Sequence, residues 1–140
     1  MDPYEKSKVL AEKAAWDFFN GLPEDDRFEL VTICPGFVLG PILCGPGFAS
    51  GRAIEAVVTG EYPGLPRVSF PIVDVREVAL AHLRAVQLPE AKNQRFIVAG
   101  QLKWFTEMAE ILSAEFRPQG YKFATRQFPK FVFRILGVFS

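Results

Sequence analysis

Cysteine, histidine and net charge are scarce in this sequence, and each scarcity closes off a class of function. Cys34 and Cys44 are the two cysteines in 140 residues. They are too few for a disulfide framework, and neither stands with a His or Cys at metal-ligand spacing, so no metal site is expected. The single histidine, His82, falls in an Ala-rich helical context and is expected to be a packed or surface residue rather than a catalytic base. Sixteen basic and sixteen acidic residues cancel, leaving no net field to attract nucleic acid or an anionic membrane. The longest apolar-rich stretch, Phe128 to Phe139, contains Pro129, Lys130 and Arg134 and is too short to span a bilayer. No apolar run follows the opening Met-Asp-Pro-Tyr-Glu-Lys, so a secretory signal is not expected and a reducing, cytoplasmic setting is. Internal repeats and low-complexity segments are absent as well.

Phenylalanine is abundant. Fourteen occur in a chain that is 49% hydrophobic and 23% charged. So much aromatic surface needs a large core or an interface to cover it.

The pattern along the chain alternates helix and strand signals. Asp2 as N-cap, Pro3 at the first helical position and Glu5 three residues after the cap predict a helix over 3–20. Its apolar stripe is Leu10, Ala11, Ala14, Ala15, Phe18 and Phe19, and Asn20-Gly21-Leu22-Pro23 is its stop. Phe28 to Cys34 reads as a largely buried strand ended by Pro35-Gly36. Residues 35–51, rich in Gly and Pro, read as a close-packed loop, a kind of segment that often carries function. A short helix is expected over 52–59, and an irregular stretch with a short strand over 63–71. Asp74-Val75-Arg76-Glu77 repeats the capping signal for a helix through Gln87. Arg95 to Ala99 reads as a second buried strand, Trp104 to Phe116 as a helix, and Phe123 to Gln127 as an edge strand. A final helix is expected from Pro129.

Tyr4 and Lys8 carry the chemistry most open to reading. At i and i+4 they share one helix face about 6 Å apart at Cβ. A fixed ammonium beside a phenol stabilises the phenolate, which makes such a tyrosine able to exchange a proton with a carbonyl or alcohol oxygen. Three tyrosines would yield such a pair by chance in roughly 0.15 of chains of this composition, so the motif alone is weak, and a surface helix pair is its bland reading.

Context raises its weight. Tyr4-Glu5-Lys6-Ser7-Lys8-Val9-Leu10-Ala11-Glu12 is followed by Thr32-Ile33-Cys34-Pro35-Gly36-Phe37-Val38-Leu39-Gly40-Pro41. Val73 to His82, Arg95 to Gly100 and Trp104 to Ala109 come next, in order. As a set, these blocks resemble the extended short-chain dehydrogenase/reductases (the NAD-dependent epimerase/dehydratase superfamily), in the branch of dihydroflavonol reductase and cinnamoyl-CoA reductase.

The resemblance implies an α/β fold: the C-terminal part of a Rossmann-type doubly wound fold plus a small α/β substrate domain. Residues 1–50 would belong to the first and 51–140 to the second. It implies that Tyr4 is the catalytic acid/base and that Lys8 assists it while binding the nicotinamide ribose. Pro35, Gly36, Phe37 and Val38 would lie along the nicotinamide of NAD or NADP, NADP being favoured. Phe48, Arg52 and Tyr62 fall where family substrate pockets are built. Trp104 and Phe105 are expected as core or staple residues rather than a substrate platform, and Cys34 as a buried, inert thiol.

Two family features are not found here: the Gly-rich phosphate turn after a first strand, and the Ser or Thr that precedes the Tyr. The chain is therefore expected to be a C-terminal fragment of a carbonyl reductase, with the N-terminal dinucleotide-binding strands missing. Alone it is expected to be inactive, to bind no cofactor and to self-associate through exposed apolar faces. A non-enzymatic short isoform or interaction module is the alternative. Within enzymes, a sugar-nucleotide epimerase or dehydratase, or a hydroxysteroid dehydrogenase, is the alternative. The expected substrate is a small carbonyl compound or alcohol.

Overall fold

Pro3, whose ring presets a helical φ, opens a 19-residue helix, α1 (Pro3–Gly21), as its spacing predicts. The computed structural model describes residues 3–43, 45, 49–61, 64–123 and 127–128. The N-cap expected at Asp2, the cysteine at 44, the candidates Phe48 and Tyr62, and the helix expected from Pro129 lie outside the described residues. Two units make up the chain.

The first unit comprises residues 1–34 and 79–97. Here α1 is followed by strand β1 (Thr32–Pro35), which pairs with β5 (Arg95–Val98). Thr32 N–H donates to the Gln94 carbonyl at 3.1 Å. The strand is shorter than the sequence suggests because Leu30 N–H bonds the Asn93 side chain at 3.1 Å instead of a neighbouring backbone. Phe19 is the one buried residue of α1. Its ring meets Trp16 and Phe28 edge-on, at 5.8 and 5.7 Å, with the Arg27 guanidinium 5.9 Å away.

The rest of the α1 stripe is uncovered, Phe18 being 64% exposed. β5 differs from the expected buried strand in the same way, with Ile97 71% exposed. An apolar pattern marks the face that is able to be buried; whether another surface lies against it is a tertiary matter.

The second unit comprises residues 35–78 and 98–140. Part of the expected 35–51 loop is strand β2 (Phe37–Leu39), parallel to β4 (Ser69–Asp74) with Phe37 opposite Ile72 and Leu39 opposite Asp74. Three residues are too short a period to read among Pro and Gly. β4 also pairs antiparallel with β6 (Leu102–Trp104). β3 (Leu65–Pro66) lies parallel to β7 (Gln127–Phe128).

Two helices cover this unit, α2 (Ala49–Val58) and α4 (Phe105–Phe116). Their contact faces bury Val57, Phe105, Met108 and Ala109 around Leu65, which is fully buried. Phe105 is thus a core residue as expected. Trp104 stays partly exposed, with Arg67 over its ring at 5.8 Å. The Glu107 side chain accepts from the Trp104 N–H at 2.6 Å and so caps α4.

Helix α3 (Val75–Gln87) starts in the second unit and continues in the first. Asp74 caps it: Oδ1 accepts from the Arg76 N–H at 2.8 Å, and the Arg76 guanidinium grips both oxygens, at 2.8 and 2.5 Å. The Arg76 side chain, and after it the Arg76 N–H, hold the Asp74 carboxyl at about 2, below its ordinary 3.8. A depressed acid stabilises the fold above its unfolded pKa and loses that contribution as pH falls through the folded one. Acid unfolding followed by circular dichroism is therefore expected to show a contribution from Asp74 between about pH 4 and 2. Asp74→Asn should flatten that limb; an unchanged acid profile would count against the cap.

Candidate functional site

Three elements build the clearest cluster of chemistry in the first unit. On α1, Lys8 Nζ lies 5.4 Å from the centre of the Tyr4 ring, so the predicted i, i+4 pair is formed. Tyr4 is 64% exposed. The Ser7 hydroxyl donates to the Tyr4 carbonyl at 2.7 Å, within the first turns of the helix.

One turn further along, Glu12 is held from the paired strands. Arg95 of β5 donates Nε to its Oε1 at 2.6 Å and Nη2 to its Oε2 at 3.3 Å. The Cys34 thiol of β1 donates to Oε2 at 3.7 Å. The hydrogen bond from Arg95 is the main reason the Glu12 carboxyl sits below its ordinary range.

Burial first, and the Glu12 carboxylate second, push the Cys34 thiol up. Cys34 differs from the buried thiol expected from the sequence in being only half-buried and in having a cation near it, the Glu12-bound Arg95. Alkylation of Cys34 by iodoacetamide is expected to be slow at neutral pH and faster in Glu12→Gln. Equal rates in the two proteins would show that the carboxylate does not act on the thiol.

The signal for Glu12 was its place four residues after Lys8 on the same helix face. Nothing local marked Arg95 as its partner, because the pair joins residues 83 apart.

The loop residues belong to the second unit. Pro35 is exposed at the end of β1, and the Gly36 N–H donates to the Val98 carbonyl at 3.0 Å. Gly36 has no room for a side chain: a Cβ there would lie 2.2 Å from the Pro71 carbonyl oxygen. The Phe37 ring stacks on Phe70 at 4.7 Å, and Phe70 meets Phe105 edge-on. The half-buried Phe37 side chain is thereby tied into the packing of its own unit.

Beyond Val38, Leu39 and Gly40 form one end of an apolar cavity of about 600 Å³, walled by Ile54 and Val58 of α2, Ile111 of α4 and Tyr121. Sequence reading missed this cavity, whose walls come from distant segments. Arg52 does not line it: that guanidinium pairs with Glu55 at 3.1 Å and Glu61 at 2.9 Å. The exposed His82 stands on α3. Among the described residues no helix is long and apolar enough to cross a membrane.

No family model matches the chain. Individual proteins do. A cinnamoyl-CoA reductase of Medicago truncatula is 34% identical over 109 residues, 78% of this chain and 32% of its own length. An NADPH-dependent methylglyoxal reductase of Saccharomyces cerevisiae is 30% identical over 122 residues, 83% of this chain and 36% of its own. Among solved structures, Gre2 of Candida albicans in complex with NADPH superposes with a TM-score of 0.69 at 30% identity, over 90% of this chain and 37% of that one. The chain belongs to the extended short-chain dehydrogenase/reductases. Its α/β architecture is that of Rossmann-like reductases of this family. The chain spans between 31% and 38% of the length of these and other curated relatives.

Proposed function

We propose that this chain carries the proton-transfer helix and nicotinamide-side loop of an NAD(P)-dependent reductase of ketones or aldehydes, with NADP favoured. The observation that carries the reading is the Lys8 ammonium set over the exposed Tyr4 ring. In this reading the Tyr4 hydroxyl donates its proton to the substrate carbonyl oxygen, and the Lys8 charge stabilises the phenolate left behind. Lys8 and Tyr4 supply polar groups for a ribose. The backbone of the loop through Pro35, Gly36, Phe37 and Val38 supplies groups for the nicotinamide carboxamide. The bound cofactor would supply the hydride.

These residues fit the nicotinamide end only. The described residues contain no Gly-rich strand-to-helix turn for the phosphates, so the chain by itself is proposed to be inactive. In this scheme residues 1–50 serve the cofactor and 51–140 the substrate, with Phe48, Arg52 and Tyr62 on the substrate side. The proposed location is cytoplasmic. The relatives' names support carbonyl reduction ahead of sugar-nucleotide epimerase or dehydratase chemistry and hydroxysteroid oxidation.

The test is a chimera. Residues 1–140 replace their counterpart in the Saccharomyces methylglyoxal reductase, and NADPH consumption with methylglyoxal is followed. Turnover by the chimera, with no NADPH binding by the chain alone in a fluorescence titration, is the expected result. Micromolar NADPH binding by the isolated chain would overturn the proposed inactivity, and an inert but folded chimera would overturn the reductase reading.

Apolar exposure in the first unit favours a second reading, in which the chain acts as an association module. Val86 is 88% exposed and Phe18 64%. Sedimentation of the isolated chain tests it; a monomer at all concentrations would exclude it.

A further inference from the structure

Tyr4, Lys8 and Glu12 stand at i, i+4 and i+8 and so share one face of α1. A carboxylate four residues from a lysine is an ordinary helix-surface partner for it. Pairing of Lys8 with Glu12 would draw the ammonium along the helix, away from Tyr4. The structure shows the opposite arrangement: Lys8 Nζ sits 5.4 Å from the Tyr4 ring centre, and the Glu12 carboxylate is gripped through both oxygens by Arg95.

The competition favours Arg95 for two reasons. A planar guanidinium meets a carboxylate with two directed hydrogen bonds, whereas an ammonium on a flexible stem offers one weakly oriented charge. In addition, Lys preceding Glu is the poorer order for an i, i+4 pair. Glu12, at 25% side-chain exposure, is also more sheltered than the exposed Lys13 and Asp17 pair on the same helix.

We infer that Arg95 is a positioning residue for Lys8: by engaging the Glu12 carboxylate it removes one of the two rival anions within about a turn of Lys8, Glu5 being the other, and leaves the Lys8 ammonium on Tyr4. The inference rests on the Tyr4 and Lys8 reading for its functional meaning, but the arrangement it describes is testable without cofactor or substrate. Glu5, three residues before Lys8, is within a turn of it in every variant and does not distinguish them.

The measurement is the ring-current shift of the Lys8 side-chain methylenes in NMR spectra of the 140-residue chain, assigned by its disappearance in Tyr4→Leu. Arg95→Gln frees the Glu12 carboxylate and is expected to lose the shift. Glu12→Gln is expected to retain it, and Arg95→Gln with Glu12→Gln to recover it. Recovery in the double variant is the discriminating result, because removing a merely structural clamp from either side would give two similar single variants and a double no better than either. A shift retained in Arg95→Gln, or lost alike in all three, overturns the inference. Should glutamine at 95 unfold the chain, Arg95→Lys keeps a cation over Glu12 with a looser hold. A partial loss of the shift there supports the inference and an unchanged shift overturns it.

In the chimera the same variants should rank turnover in the same order, Arg95→Gln lowest and the double variant recovering toward the parent. A chimera without turnover would sink the reductase reading and leave the NMR result to decide the positioning role by itself.

Discussion

Tyr4→Phe in the chimera is expected to lower turnover by roughly 10²- to 10⁴-fold, the contribution of a positioned acid–base group, with a smaller rise in the KM for NADPH than Lys8→Met gives. The phenyl ring keeps the surface that Lys8 covers and loses only the hydroxyl that would donate the proton. Lys8→Met should reduce turnover and raise the KM for NADPH together, because the same ammonium is proposed to serve both the phenolate and the ribose. The split between the two variants is the informative part. If Tyr4→Phe retained half of the parent turnover, proton transfer would have to come from another group and the role proposed for Tyr4 would fall.

Gly36→Ala is expected to destabilise the second unit by about 1–3 kcal/mol or more, read as a fall in the midpoint of thermal unfolding. A Cβ at this position would sit 2.2 Å from the Pro71 carbonyl oxygen, and the obstacle is backbone, which has no rotamer to escape into. Pro71 pairs with Leu102, so relieving the contact means displacing β4 from either β2 or β6. Gly21→Ala is the control, since nothing lies within 4 Å of a Cβ added there at the end of α1; it is expected to be close to neutral. A Gly36→Ala protein as stable as the parent would mean that β4 moves at little cost, and would return the glycine to a purely cofactor-facing explanation.

Gly36 illustrates how the two levels divide. From the sequence it looks like a turn residue in a loop that approaches a ligand. In the structure the close neighbour is the chain's own β4, a contact between residues 35 apart that no local pattern announces. Phe37 shows the same kind of contact: its ring stacks on Phe70, itself packed on Phe105, which no local pattern announces. The pairing of Arg52 with Glu61 was likewise not marked by any local pattern. The apolar cavity beyond Leu39 was invisible beforehand because its lining comes from β2, α2, β4, α4 and Tyr121, segments far apart in the sequence.

Local physics was legible. Pro3 and the spacing of Tyr4 and Lys8 determine helix α1 and the meeting of the phenol with the ammonium, because both follow from a repeat of 3.6 residues per turn. Asp74 ahead of Val75 to Gln87 and the stop at Leu88-Pro89 bound α3 for the same reason. The ordered blocks from Tyr4 to Ala109 were enough to indicate the family. Only tertiary structure decided which apolar residues are covered. Phe19 is enclosed by Trp16, Phe28 and Arg27 while its neighbour Phe18 is exposed, although both belong to one predicted stripe. It also decided that Glu12 faces Arg95 rather than Lys8. Hydrogen bonds and burial between distant segments depend on where the whole backbone brings them, and a periodic pattern carries information only about its own helix or strand.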